Sequence, residues 1–315
     1  MLRVGVIATI VAICAVGTIA YVLHDAGERN DNVSTVAKVL DNVETAKVPK
    51  KPVEGMDANV LRRIDFKTLK GINSDVDAWL YVPDTAIDEY VMQERRLDHY
   101  EYDLKGIYKT YNGCGTFLKP AKVKDSDGKP IDDAHTLILG HRMNGYNGEW
   151  QFSNVPTRWA TLDGANAHPY IYVYYPDHAE RWRVWAAVDA WASDMIYDIP
   201  YALGSDEYQS LLDHIADSAR YQAVDKPDKD TRTLVMSTCN RPTGGALMRF
   251  ALVSVPDAEY YYDTGAYVDM NDAHAEDKWK NANADRDKEA ALAAEDAARK
   301  AASASGDDLV NDPSL

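Results

Sequence analysis

The sequence predicts a mainly β fold, a closed barrel or sandwich interrupted by two helices. Three observations predict it. Short runs of β-branched and aromatic residues recur through the middle of the chain, Pro, Gly, Asp and Asn separate them, and only two stretches carry the apolar spacing of a helix. In order, the strand-like runs are "DAWLYVP" (77–83), "CGTFLKP" (114–120), "AHTLILG" (134–140), "YIYVYYP" (170–176), "RWRVWAAVDAW" (181–191), "RTLVMSTC" (232–239) and "LMRFALVSV" (247–255).

The first helical stretch is 57–72, where Val60, Ile64, Leu69 and Ile72 fall roughly on one face before "NSD". The second is 205–220, with Tyr208, Leu211, Leu212, Ile215 and Ala219 at helical spacing. Ser205 can cap its N-terminus, Asp206 and Glu207 complement the dipole there, and Arg220 suits a last turn.

The two ends of the chain read differently from its middle. Residues 4–23, "VGVIATIVAICAVGTIAYVL", are twenty residues without a charge. At 1.5 Å per residue they can cross a hydrocarbon core of about 30 Å, and they exceed a usual signal-peptide core. Arg3 precedes the stretch, so the positive-inside rule keeps the N-terminus in the cytoplasm and exports the remainder of the chain. The expected organisation is a cytoplasmic start and membrane anchor over 1–24, a linker or stalk over 25–56, a catalytic domain over 57–256 and a C-terminal extension over 257–315. From about 271 that extension is acidic and Ala-rich, with no apolar face to bury.

Composition narrows the chemistry. A net charge of −16 lacks the basic footprint of a nucleic-acid binder. The three cysteines, Cys14, Cys114 and Cys239, have no metal-ligand spacing, so neither a zinc site nor a disulfide framework is indicated. With the ends removed, roughly 210 residues remain, the size of one domain.

Cys239 stands out because it ends an apolar run, whereas structural cysteines usually lie inside one. Among the eight histidines, His24 flanks the span, His274 lies in the tail and His178 falls in a turn-like "PDHAE". His141 instead follows Gly140 directly after Leu137, Ile138 and Leu139. It too stands at a strand end, from which a rigid sheet can present a side chain to a cleft. A thiol is only a few per cent thiolate at neutral pH, and an imidazole or cation nearby raises the reactive fraction. Arg249, between Met248 and Phe250 in the next apolar run, supplies such a charge and is costly to bury without a partner. Cys114, at the start of "CGTFL", reads as a non-catalytic thiol.

"STC" at the end of an apolar run, with an arginine ten residues on in the next strand, resembles the cysteine signature of the sortases, the Gram-positive surface transpeptidases. "TLILGHRM" resembles their histidine signature. "INSDVDAWLYVPDTAID", "GTFL" and the 205–220 helix resemble class B in particular. The resemblance covers 57–256 and implies a sortase-like closed β-barrel with N-terminal helices and an extra helix between the sixth and seventh strands.

That resemblance implies His141 as general acid/base, Cys239 as nucleophile and Arg249 as the group stabilising the oxyanion or holding substrate. Ser237 and Thr238 match polar residues that line the family's site. Asn240 and Arg241 are expected substrate contacts, but they stand where several class B members carry acidic residues, so Arg241 competes with Arg249 for its role. Glu89 and Tyr90 stand where a Tyr-Pro pair is common. The implied reaction is cleavage of a C-terminal sorting motif after threonine through a thioacyl-enzyme, then transfer to a peptidoglycan-precursor or pilin amine, with no cofactor. The implied partners are a sorting-motif protein, that acceptor, and the membrane through the anchor.

Other wall cysteine enzymes fit less well. An L,D-transpeptidase carries His-Gly before its cysteine, where Ser237 and Thr238 stand here, and a papain-like peptidase has Cys before His. A non-catalytic surface adhesin or scaffold on the same barrel is a reading of another class, since fold alone does not imply function.

Overall fold

The computed structural model describes residues 56–93, 116–118, 134–140, 151–198, 200–240 and 248–270, together with the two-residue strand β1 (Glu44–Thr45). The expected anchor, most of the linker, the tail from 271, Cys14, Cys114, His141 and Arg241 lie outside the described residues. Among those described, no helix is long and apolar enough to cross a membrane.

The chain enters through a 3-10 turn at Ala58–Leu61, strand β2 (Arg62–Arg63), which pairs with β1, and helix α1 (Phe66–Ile72). The expected single helix over 57–72 is therefore interrupted. Asp57 caps the 3-10 turn, Arg62 is extended in order to pair, and Asp65 starts a second helix by accepting the Thr68 N–H at 2.9 Å. Val60, Ile64 and Leu69 are buried as their spacing predicted, but Ile72 at the end of α1 is exposed, and Phe66, which the spacing did not pick out, is buried instead.

Strands β3 (Val76–Tyr81), β4 (Asp88–Gln93), β5 (Thr116–Leu118) and β6 (His135–Leu139) come next. After the short helices α2 (Val155–Arg158) and α3 (Leu162–Ala167) come β7 (Tyr170–Tyr174) and β8 (His178–Trp191). Helix α4 (Asp206–Ser218) and β9 (Ala219–Gln222) then lead to β10 (Thr233–Cys239), β11 (Met248–Tyr261) and β12 (Ala266–Asp269).

The pairings β3-β4-β5-β6-β10-β11-β8-β7-β3 run into a ring, because β11 pairs with β8 as well as with β10. β9 and β12 lie outside the ring and pair antiparallel with its two long strands, β8 and β11. Closure removes the edges an open sheet would leave unpaired. In chain order β8 is the sixth strand of the ring and β10 the seventh, so α4 occupies the expected interval between them.

Period-two alternation divides β10 between two cores. Leu234 and Met236 join Ile138, Phe250 and Leu252 inside the barrel, while Val235 faces the outer layer beneath α4. The helix contributes Tyr208, Leu211, Leu212 and Ile215 to that layer, as its spacing predicted. Ser205 caps it, accepting the Tyr208 N–H at 3.1 Å.

The helix stops at Ser218, short of the expected 220. Arg220 lies in β9 and reaches back to Asp189 of β8, with donor–acceptor distances of 2.7 and 2.5 Å. Strand pairing at Val188↔Ala219 wins over another helical turn. His178 opens β8 and does not lie in a turn; it stacks between Tyr175 and Tyr261, with centroids 4.7 and 5.6 Å away.

Candidate active site

Three strand ends meet at one rim of the barrel. β6 and β10 are parallel, with Leu139 opposite Ser237, so both finish at the same end. β11 returns antiparallel beside β10 and sets Arg249 directly opposite Cys239. Cross-strand neighbours in such a pair have Cβ atoms about 5 Å apart. The thiol and guanidinium therefore share a face.

Alternation places Ser237 and Cys239 on the outer face with Val235, and Arg249 with Ala251 and Val253. Cys239 is partly exposed and in no disulfide. Ser237 is buried and its hydroxyl lies 2.9 Å from the Tyr197 hydroxyl. Thr238 is buried on the inner face opposite Phe250, and its Oγ1 has no hydrogen-bond partner among the described residues. Arg249 Nε is likewise buried without an acceptor among them. Native structures seldom leave such groups unmet, and clefts that bind polar ligands are one place where they do.

Asn240 is pinned from two sides. Its N–H donates to Met248 O at 2.8 Å and its side-chain amide to Asp189 at 2.6 Å. Asp189, opposite Phe250, also accepts from Arg220, so one carboxylate braces the chain immediately after the cysteine. Of the expected site residues, Ser237, Thr238, Cys239, Asn240 and Arg249 come together here, while His141 and Arg241 fall outside the described residues. Gly140, the residue before His141, donates its N–H to Ser237 O at 3.0 Å. A Cβ on Gly140 would run into the buried ring of Phe152, which explains the glycine at this strand end.

Two residues at the rim were not expected from the sequence. Asp189 was legible as a lone charge within the apolar run "WAAVDAW". Tyr197 was not, since it belongs to a 3-10 turn, Met195–Tyr197, with no periodicity. Its ring lies beneath Arg249, with Cζ 5.3 Å from the centroid. Burial is the main cause that raises its phenol to about 12, so it is neutral at ordinary pH.

No family model matches the sequence, and no curated protein matches it. Solved structures do. A Bacillus anthracis sortase B in complex with AAEK1 aligns at 19% identity over 74% of this chain and 98% of that one, with a TM-score of 0.54. Clostridium perfringens sortase B aligns at 19% over 61% and 99%, TM-score 0.51. A Staphylococcus aureus sortase B–substrate complex aligns at 18% over 61% and 83%, TM-score 0.50. At these identities the likeness is one of fold, and the fold of this chain is the class B sortase barrel.

Proposed function

We propose that the chain is a cysteine transpeptidase of the sortase type, exported and held at the membrane by residues 4–23. The observation that carries this reading is the register Cys239↔Arg249 at the rim where β6, the strand leading to His141, ends beside β10. A nucleophile, a fixed positive charge and a histidine two residues beyond the end of the neighbouring strand are the parts that acyl transfer requires.

In the proposed reaction Cys239 passes its proton to His141, and the Sγ thiolate attacks the threonine carbonyl of a sorting motif, forming a C–S bond and an oxyanion. Arg249 stabilises that oxyanion with N–H groups that meet no carboxylate among the described residues. The oxyanion collapses, the peptide C–N bond breaks, and His141 protonates the departing amine. An acceptor amine, on a peptidoglycan precursor or a pilin, then attacks the thioester and gives its proton to His141, releasing Cys239. Ser237, Thr238, Asn240 and Arg241 are the proposed surrounding substrate contacts.

The test is to incubate the full chain, solubilised in detergent, with a library of sorting peptides and to map adducts by mass spectrometry. A thioacyl adduct on Cys239 that disappears when an amine acceptor is added is the expected result. A folded protein that never acylates at Cys239 would favour the adhesin or scaffold reading. Protease added to intact cells should reach the domain, and protection would sink the proposed topology.

A further inference from the structure

We propose that Tyr197 is a positioning residue for Arg249: its ring holds the guanidinium level with the Cys239 thiol, so the turn between β8 and α4 is part of the site. The inference rests on the roles proposed for Cys239 and Arg249 and adds a residue to them.

A guanidinium is usually oriented by a carboxylate, but Arg249 has none among the described residues. Asp189, on the neighbouring strand, is engaged by Arg220 and Asn240. What Arg249 does meet is the face of Tyr197, 5.3 Å from Cζ to ring centroid. The distinction matters for chemistry. A carboxylate would orient the arginine and cancel its charge, whereas an aromatic face attracts the cation and leaves its planar fork of N–H donors unspent. Arg249 Nε, buried and without an acceptor among the described residues, fits a fork held in readiness for an anion.

A ring can position a cation only if the ring itself is fixed, and the turn carrying Tyr197 is held on several sides. Asp194 caps it by accepting the Ile196 N–H at 3.0 Å, and the same carboxylate meets His214 of α4 at 2.9 Å. Tyr201 donates its hydroxyl to Met195 O at 2.9 Å. The buried ring of His135 lies 2.9 Å from Ile196 O, and its other nitrogen lies 2.7 Å from Thr233 Oγ1. The Tyr197 hydroxyl closes the arrangement on Ser237, two residues before the cysteine. Strands β6 and β10 and helix α4 thus all fix the ring that lies beneath Arg249.

The test reads the charge beside the thiol without requiring turnover. In the full chain, the rate of Cys239 alkylation by iodoacetate, an anion, is divided by the rate with neutral iodoacetamide, the adduct being mapped to Cys239. Arg249→Ala should lower that ratio by about fourfold, the effect of a unit charge at cross-strand distance in water. Tyr197→Leu should lower it nearly as far, and Tyr197→Phe should keep the parental ratio because it keeps the ring. A ring-fluorinated phenylalanine at 197, which has nearly the same shape but a weakened π face, should fall between Phe and Leu. It decides the matter if the leucine variant does not fold.

A parental ratio in the fluorinated protein and in any folded Tyr197→Leu protein overturns the inference. So does an equal loss in Tyr197→Phe and Tyr197→Leu, which would transfer the role to the hydroxyl on Ser237. An Arg249→Ala ratio equal to that of the parent overturns it as well. Peptide acylation is followed in the same samples: its absence in the parent counts against the transpeptidase reading, and the alkylation ratio still decides the role of Tyr197.

Discussion

Arg249 and Arg241 offer the same guanidinium at two places in the sequence, and the roles proposed for them differ. Arg249 is fixed opposite Cys239 within a 14-residue strand, whereas Arg241 comes after the strand end in "NRPTGG", a run of turn residues. Losing one preorganised oxyanion donor costs about 100- to 1,000-fold in rate. Arg249→Ala and Arg249→Lys should each show a loss of that size in kcat while remaining folded, and Arg241→Ala should chiefly raise KM, both measured by single-turnover acylation. The reverse pattern would assign the catalytic role to Arg241. Gly140 makes a second case at this scale. Gly140→Ala must displace the Phe152 ring or the end of β6, and such overpacking costs about 1–3 kcal/mol. Its acylation rate should fall further than its stability alone explains, because the displaced strand end leads to His141. Equal activity per folded molecule would show that β6 tolerates the shift.

Helix α4 is amphipathic in the simplest sense: four large side chains go in and a charged face stays out. Tyr208, Leu211, Leu212 and Ile215 are fully buried against the outer side of β8, β10 and β11. Glu207 is exposed, and Asp213 is exposed and paired with Lys226. Leu211→Ala should therefore cost about 2–5 kcal/mol, read from the denaturant midpoint. Glu207→Ala should stay within about 0.5 kcal/mol of the parent. If the two variants proved equally stable, the helix would not be packed against the sheet in this way. The helix also braces the site, because His214 on its length and the turn before it share Asp194. A destabilised α4 should thus disturb Tyr197 before it disturbs the interior core.

Across the whole molecule, the end of the barrel away from Cys239 carries a buried ion network. Glu180 and Glu259 lie directly opposite each other on β8 and β11, and Arg232 bridges them, 3.3 Å from Glu180 and 2.7 Å from Glu259. Along β8 this is about 30 Å from the Cys239 rim, at 3.3 Å per residue. Two carboxylates sharing one cation are held unequally. Against the cost of burial, Arg232 and His178 draw Glu180 down to about 2, whereas burial and the charge of Glu180 push Glu259 up. His178 is opposed by burial, but Asp177 at 2.7 Å and Glu180 at 3.7 Å raise it from 6.5 to about 9. A raised histidine binds its proton more tightly in the folded state, so its contribution is complete below about pH 6.5 and is lost as pH rises through about 9. The melting temperature should fall across that interval, and His178→Asn should flatten the fall. A parental slope in that variant would place the alkaline sensitivity elsewhere.

Whatever depends on neighbours along the chain was legible in the sequence. Alternation in "RTLVMSTC" and "LMRFALVSV" marked two strands, Ser205 marked the start of a helix, the ends of apolar runs marked Cys239 and His141, and Arg249 stood out as a charge inside the next run. β4, β9 and β12 escaped notice because "DEYVMQ", "ARYQ" and "AYVD" are short or lack clean alternation, and α3, in "LDGANA", has weak helix formers. Which strand lies beside which emerged only on folding. The parallel pairing of β6 with β10 joins segments almost a hundred residues apart, and β11–β8 closes the ring. Those pairings set Asp189 beneath Asn240, stopped α4 at Ser218 so that Arg220 could reach that carboxylate, and brought Tyr197 under Arg249. Periodicity reports which side of an element is buried, because burial is repeated every turn or every second residue. It carries no information about the partner across the gap, and the partners are what make this rim a site.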